Sequence, residues 1–121
     1  MGLITGRFSR RARRHFEGLE LLREEEGANS LGVESAGKTQ VRGNGNLALT
    51  AEELIFAQWI PNRVTRIPRG SILEVTTAKS HLGKWIGRPL LKVVWTNERA
   101  ERDSIALWVR DLDGWIAALT R

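Results

Sequence analysis

Residues 32–39 have the residue types and the spacing of a phosphate-binding loop. They read Gly32-Val33-Glu34-Ser35-Ala36-Gly37-Lys38-Thr39. In a P-loop the backbone amides surround the phosphates, the lysine contacts phosphate and the threonine contacts magnesium. A P-loop follows a buried strand and opens a helix, whereas acidic residues precede this pattern and the glycine- and asparagine-rich residues 43–46 follow it. A small nucleotide-binding enzyme that uses Lys38 and Thr39 is therefore the disfavoured alternative.

The other residues that could support catalysis do not form a recognisable site. Gly43, Gly45 and Ala48 fit a permissive dinucleotide-binding spacing, but this pattern is predicted to open no helix. The histidines His15 and His81 are far apart in the sequence and have no companion ligands, and the chain has no cysteine. We therefore expect no catalytic residues, no cofactor and no metal.

Residues 79–89 are the strongest candidate for a binding segment. The sequence predicts a ten-residue loop over 80–89, longer and richer in glycine than an ordinary hairpin turn. Its mixture of cations and apolar side chains suits an anionic lipid headgroup with a shallow apolar wedge, or a protein hot spot centred on Trp85. In the alternative interpretation, Trp85 and Ile86 fold back to cover an open barrel edge. The candidate binding residues are Lys79, His81, Lys84, Trp85 and Arg88.

The composition predicts one globular domain in the cytoplasm with acidic partners. A chain of 121 residues has room for one core. No segment approaches the ~18 apolar residues of a membrane-spanning helix, and the N-terminus carries charges where a signal peptide is apolar. The net charge of +5 favours anionic lipid, nucleic acid or acidic protein. No groove-reading helix or set of stacking aromatics accompanies the basic residues, which argues against nucleic acid.

Residues 1–30 are predicted to form a basic, then acidic, amphipathic N-terminal helix or extension. An apolar stripe recurs at helical spacing and ends before Gly27. Its members are Phe8, Ala12, Phe16, Leu19 and Leu22. The stripe could pack on the following domain or lie on a membrane surface, where arginine-rich helix faces suit anionic headgroups. Residues 27–37 are then either a linker or an irregular first strand.

Residues 38–109 are predicted to form short strands separated by turns. Alternation or short β-branched runs indicate strands at 38–42, 47–49, 54–60, 63–67, 72–79, 90–96 and 104–109. The segment Gly43-Asn44-Gly45-Asn46 is predicted as a hairpin turn, because these residues accept the positive φ that tight turns require. Strands at this spacing, mostly joined by short turns, are typical of an all-β barrel or sandwich.

The chain is predicted to end in an amphipathic helix that closes this β structure. Asp111 is a natural N-cap, and the apolar residues of the helix fall on one face. Burial of Trp115, Ile116 and Leu119 would contribute about 2 kcal/mol each before entropy is subtracted. We therefore expect Trp115 and Ile116 to face the core rather than water.

Residues 45–56 read Gly-Asn-Leu-Ala-Leu-Thr-Ala-Glu-Glu-Leu-Ile-Phe. This segment resembles the hairpin of GRAM and bacterial pleckstrin-homology-like (PH-like) domains, and the final helix lies where that superfamily has its capping helix. The resemblance covers roughly residues 38–120 and implies seven antiparallel strands in bent sheets, a partly open barrel capped by a helix. We predict residues 1–30 as the extension and residues 31–121 as the domain. Lipid sites in such families often use basic residues near the first hairpin, where this chain has Lys38 and Arg42.

The expected function is that of a noncatalytic PH-like binding module. It would dock a protein partner or an anionic membrane surface through residues 79–89, helped by the basic N-terminal segment, in the cytoplasm or at the inner membrane face. An accessory domain that only oligomerises is a further alternative, and it predicts that residues 79–89 are buried between copies.

Overall fold

A curled antiparallel sheet with one helix at each end of the chain makes up the fold. The computed structural model describes residues 2–37 and 42–121, with side chains from Gly6 onward. Within these residues the helices are α1 (Gly2–Arg13) and α2 (Leu112–Leu119). Short 3-10 helices lie at Arg14–Phe16, Glu34–Ala36 and Arg69–Ser71. The strands are β1 (Arg23–Val33), β2 (Gly43–Leu49), β3 (Glu53–Gln58), β4 (Arg63–Pro68), β5 (Ile72–His81), β6 (Lys84–Thr96) and β7 (Arg102–Trp108).

The sheet has the order β4-β3-β2-β1-β7-β6-β5. Every neighbouring pair is antiparallel, and β1 lies in the middle. β1 pairs with β2 along residues 23–30 and with β7 along residues 29–33, with a register shift in each pairing. Because β4 and β5 are the two edges, the sheet is a half-barrel. The predicted fold class is confirmed: mainly β, PH-like, with a capping helix at the C-terminus and a helical extension at the N-terminus.

The inner face of the half-barrel holds the main core, and α2 closes it. Leu91 and Leu107 are fully buried there, together with Trp115 from α2. The Asp111 side chain caps α2 by accepting from the Gly114 N–H at 3.1 Å, as predicted. Trp115 also donates its indole N–H to Glu25 at 3.0 Å. Ile116 is half-buried and packs against the same core, so the predicted inward face of α2 is confirmed.

Helix α1 covers part of the outer face of the sheet. Phe8 and Ala12 from α1, and Phe16 from the 3-10 turn after it, pack on the sheet. The cluster that they join includes Ile55 in β3 and Trp59 just after β3. The Arg11 side chain donates to the Trp59 carbonyl oxygen. Of the two alternatives for the N-terminal stripe, the structure therefore has the one in which the helix packs on the domain.

Buried polar groups join α1 to the sheet as well. The Ser9 hydroxyl donates to a Glu26 carboxylate oxygen and accepts from the Asn46 amide at 3.0 Å. Asn46 in turn accepts the Trp59 indole N–H at 2.9 Å. This polar relay of Glu26, Ser9, Asn46 and Trp59 matches each buried donor with an acceptor. It fixes the position of α1 in a way that apolar contact alone would not.

The prediction of one helix ending before Gly27 is wrong. Helix α1 ends at Arg13, a single 3-10 turn follows, and Gly18 with φ 78° breaks the helical path. Leu22, the last member of the stripe, is 57% exposed. Residues 23–33 are strand β1, which takes its stability from pairing on both edges, and the predicted boundary at residue 30 falls inside it.

The predicted turn at 43–46 is also wrong, because these residues form the first half of β2. A Cβ atom at Gly43 would lie 2.5 Å from the Gln58 side chain, and one at Gly45 would lie 2.5 Å from the Ala57 carbonyl oxygen. Glycine is needed here for the close approach of β3, not for a turn. The strand predicted at 38–42 falls on Lys38–Val41, outside the described residues, and Arg42 is in no strand.

Candidate functional site

The predicted ten-residue loop at 80–89 is wrong, because β5 and β6 continue almost to their connection. His81 pairs with Lys84, so only Leu82 and Gly83 form the turn. Both have positive φ, 54° and 76°, as a type I′ hairpin turn requires. The candidate residues therefore lie on a hairpin tip, defined here as residues 79–88.

A bulge in β6 bends the hairpin tip. Ala78 pairs with Leu90 and Ser80 with Trp85, so residues 86–89 lie opposite Lys79 alone. The bend carries the tip over the outer face of β1, β7 and β6. Leu31, Leu90 and Ala106 are fully buried in a small cluster there, with half-buried Ile86 and Trp108 packed against it.

His81 holds the tip against the central strand. Its ring is 5% exposed, and Nε2 lies 2.9 Å from the Gly32 carbonyl oxygen. Because a carbonyl oxygen can only accept, Nε2 carries the hydrogen. Burial lowers the pKa of His81, and nearby Lys92 and Lys84 lower it further, against the opposing effects of the Gly32 bond and Glu34. His81 is therefore a neutral, buried side chain, and its hydrogen bond to Gly32, called the latch below, anchors the tip. It is not part of the outer surface formed by the other candidates.

The other four candidate residues lie on the outside of the tip. Trp85 is 72% exposed, whereas its neighbour Ile86 packs on the outer face. Lys79 and Arg88 are exposed and Lys84 is half-exposed, and the sequence from 75 to 97 contains no acidic residue. Ile86 therefore folds back, but onto the outer face of the sheet rather than over a barrel edge, and Trp85 does not fold back.

A shallow cleft beside the tip contains two guanidinium groups. It has a volume of about 330 Å³ and is lined by Asn29, Arg42, Ile86, Arg88 and Trp108. The Arg88 guanidinium lies 5.5 Å from the centroid of the Trp108 ring, and Arg42 donates to the Asn29 side-chain oxygen at 3.2 Å. Among the described residues none of those that line this tip cleft is acidic, so its chemistry favours an anion. Arg42 was singled out from the sequence, and Lys38 lies outside the described residues.

A larger cleft, the mouth cleft, opens at the end of the half-barrel between β4 and the β6–β7 turn. It measures about 610 Å³, and its wall combines apolar residues with arginines and with the buried carboxylate of Asp103. Its apolar members include Val33, Val64 and Trp95. Neither cleft could be predicted as a whole from the sequence, although Arg42 and Arg88 were singled out, because the lining residues come from segments far apart in the chain.

Asp103 lines the mouth cleft with its oxygens already engaged. It accepts from the backbone N–H groups of Ser35 at 3.0 Å and Ser104 at 2.9 Å, and from the Asn97 side chain at 3.4 Å. Burial acts to raise the pKa of Asp103, but the hydrogen bonds from Ser35, Ser104 and Asn97 outweigh it, so the pKa lies below its usual value. Asp103 is thus an ionised group that stabilises the wall of the cleft.

The phosphate-binding pattern occupies a different structure from a P-loop. Gly32 and Val33 end strand β1, residues 34–36 form a 3-10 helix, and Lys38 and Thr39 lie outside the described residues. In the described part of the chain, no group of histidine and acidic residues is arranged to hold a metal ion. No helix there has the length and apolarity needed to cross a membrane.

The chain is similar to known proteins in its fold, and these comparisons assign it neither a family nor a function. No family model matches the sequence, and no curated protein matches it. Among solved structures, the chain is similar to the crystal structure of the C-terminal domain of an unknown protein from Leishmania infantum. The two are 19% identical with a TM-score of 0.60, over 97% of this chain and 94% of that one. This likeness extends over nearly the whole chain and supports the half-barrel fold described above.

Proposed function

We propose that the protein is a noncatalytic PH-like binding module that docks on an anionic membrane surface through its hairpin tip. The observation that carries this proposal is the 72% exposure of Trp85 on a tip that has Lys79, Lys84 and Arg88 and no acidic residue. Its place of action would be the cytoplasmic side of a membrane. We also propose that the domain is GRAM-like. This finer assignment rests on residues 45–56, which form most of β2, most of β3 and the turn between them.

The chemistry of the tip suits the interface between lipid and water. A tryptophan ring is stable at headgroup level, where its apolar body is buried and its N–H stays wet. Each lysine or arginine close to an anionic surface contributes roughly 1 kcal/mol. The tip cleft adds two guanidinium groups, from Arg42 and Arg88, that can hold a headgroup phosphate.

The hydrogen bond of His81 to Gly32 orders the tip before it docks. Because His81 and Ile86 already hold the hairpin against the outer face, docking would order few additional side chains. A protein hot spot needs a surrounding ring of contacts that excludes water. Apart from Trp85, the exposed residues of the tip are two cations, two glycines and a serine, which favours a membrane over a protein as the partner.

Vesicle cosedimentation tests the proposal. We expect the protein to sediment with vesicles that contain phosphatidylserine, to sediment much less with pure phosphatidylcholine, and to dissociate as salt is raised. Trp85→Ser and the double variant Lys79→Gln/Arg88→Gln should each weaken binding about tenfold, equivalent to about 1.4 kcal/mol.

Two matched variants serve as controls. Leu73→Ser removes another exposed apolar side chain, on β5 but outside the tip, and Arg63→Gln removes an exposed cation on β4. Both should bind vesicles like the unmodified protein. Equal binding to neutral and anionic vesicles, binding to neither, or equal losses in the controls would overturn the proposal. Protein docking would then be the better explanation for Trp85.

A further inference from the structure

Strand β4 is an edge of the sheet, and the hydrogen bonds around β3 show which of its backbone groups are unpaired. The Thr50 N–H donates to the Glu53 carbonyl oxygen at 2.9 Å, in register with the β2–β3 pairs. The Arg69 N–H donates to the Glu52 carbonyl oxygen at 2.8 Å, in register with the β3–β4 pairs. In antiparallel sheets, hydrogen-bonded pairs alternate with non-bonded pairs along a strand. Odd-numbered residues of β3 therefore bond to β2, and even-numbered residues bond to β4.

The same alternation places the backbone groups of Val64 and Arg66 on the open side of β4. Val64 lies opposite Ala57 and Arg66 lies opposite Ile55, and both of these β3 residues bond to β2. The N–H and C=O groups of Val64 and Arg66 consequently point away from β3, and no hydrogen bond among the described residues uses them. Pro68, which has no N–H, is the next residue on this side, as suits a free edge.

The mouth cleft runs along this open side of β4. Its lining includes Val64, Thr65, Arg66 and Pro68, together with residues from 33–36 and 95–103. An added strand would lie about 4.8 Å from β4, and Val64 and Arg66 are about 7 Å apart along the strand, so three residues would span both. The volume of about 610 Å³ is in the usual range for ligand sites. The cleft therefore offers both the backbone groups and the space that one short extended segment needs.

Alternation along β4 also decides where the side chains of an added segment would point. Val64 packs on the outer face, whereas Ile67 belongs to the main core, so Thr65 lies on the inner side with Ile67. The residue opposite Thr65 would share that inner side. Val33 and Trp95, which belong to or pack on the main core, line the cleft there. An apolar side chain is therefore expected at the middle position of the segment.

The charges of the cleft favour an uncharged occupant that is not a second copy of this chain. Arg66 and Arg99 are already paired with glutamates, which leaves Arg63 with Glu98 and the ionised Asp103. A peptide backbone is neutral and both donates and accepts, so it suits such mixed surroundings. A second β4 would bring its own arginines beside Arg63 and Arg66, and like charges on adjacent strands are destabilising.

We propose that β4 binds an extended, uncharged segment of another protein as an additional strand, antiparallel like every pair of the sheet. Two residues of the segment exchange backbone hydrogen bonds with Val64 and Arg66. The residue between them places an apolar side chain toward Val33 and Trp95. This docking site is separate from the hairpin tip, and it needs no membrane.

NMR of the ¹⁵N-labelled protein with the neutral peptide acetyl-Thr-Thr-Val-Thr-Thr-amide tests this directly. The backbone N–H signals of Val64 and Arg66 should move downfield and exchange more slowly with solvent when the peptide is added. The Thr65 N–H is already bonded to β3, so its exchange should change little. Aspartate in place of the peptide's valine should abolish measurable binding.

Methylated peptides test the backbone pairing itself. Methylation of the amide nitrogen of the second or the fourth residue removes a donor to β4 and should weaken binding about fivefold. Methylation at the valine should have little effect, because its N–H points away from β4. This pattern depends on strand pairing and on no particular side chain of the protein.

Val64→Pro removes an N–H that β3 does not use, and it should also weaken binding about fivefold. Leu73→Ser, on the other edge strand β5, is the control and should bind the peptide normally. If Val64→Pro fails to fold, the methylated peptides decide, since they need only the unmodified protein. Equal binding of all the methylated peptides, shifts confined to β5 or the tip, or no binding would overturn the proposal. None of these outcomes bears on vesicle binding, which is measured without peptide.

Discussion

Helix α1 and the hairpin tip both cover apolar positions on the outer face of the sheet, but they differ in what they leave outside. The apolar side chains of α1 from Phe8 onward face the sheet, and its buried polar groups are matched through the relay around Ser9 and Asn46. The tip buries His81 and Ile86 and leaves Trp85 in water. The difference teaches that packing on the sheet accounts for the aromatics of α1 but not for Trp85, whose exposure is what the proposed docking would use.

The sharpest way to break this comparison is to remove one aromatic from each cover. Phe16→Ala leaves a cavity beneath the 3-10 turn that ends the α1 cover, and we expect the free energy of unfolding to fall by about 3 kcal/mol. Trp85→Ala removes an exposed ring and should change the same quantity by less than about 0.5 kcal/mol. Urea unfolding of both variants measures the contrast. Similar losses would show that the tip is also a structural cover.

The polar relay under α1 gives the next largest effect. Asn46→Ala removes the acceptor for the Trp59 indole and the donor to Ser9. Leaving these buried groups unmatched should cost about 2 kcal/mol. Asn44→Ala on the same strand is the control, because Asn44 is exposed. An Asn46 variant as stable as its control would mean that water replaces the relay and that apolar contact alone holds α1.

The latch on His81 predicts a pH dependence that belongs to the tip. Its pKa in the folded protein lies below the ordinary value of 6.5, because burial disfavours the charged ring. As the pH falls through 6.5 the unfolded chain takes up a proton before the folded one does, so stability is full above that pH and declines below it.

His81→Gln can still donate to Gly32 but does not titrate, so its free energy of unfolding should change less between about pH 7.5 and pH 5.5. His15→Gln, a substitution on the α1 side, is the matched control. Urea unfolding at the two pH values checks the prediction. An unchanged slope in His81→Gln would assign the pH dependence to other groups.

Ile86→Ala should have a smaller effect on stability than the substitutions beneath α1, and it sharpens the comparison within the tip itself. Ile86 is half-buried over a small cluster, so we expect a loss of about 1 kcal/mol, less than for Phe16. If Ile86 positions Trp85, vesicle binding should also weaken in this variant while Leu73→Ser binds normally. Cosedimentation under conditions in which both variants are fully folded separates weaker vesicle binding from loss of stability.

Local patterns were enough to predict most of the sheet and the closing helix. Alternation over 63–67 and 104–109 placed β4 and β7 to within two residues, and Asp111 marked the start of α2. These segments owe their structure to a face that is buried along their own length, which a sequence pattern records.

In the segments whose secondary structure was predicted wrongly, long-range contacts determine the structure. The stripe ending at Leu22 mimics a helix, but residues 23–33 become a strand because β2 and β7 pair with both edges. The glycines of β2 look like a turn until β3 packs against them. The candidate tip residues were identified by composition, yet the burial of His81 depends on Gly32, a residue 49 positions away. No local pattern carries such information.

The central position of β1 has a consequence for synthesis on the ribosome. Its first partner β2 follows soon after it, but β7 and α2 emerge only after all the other strands, with Trp115 coming 90 residues after Glu25. During translation one edge of β1 stays unpaired, and an unpaired strand edge can pair with a strand of another chain. The nascent chain should therefore be most prone to aggregate before β7 and α2 have emerged, and a truncation that removes α2 should be far more harmful than its length suggests.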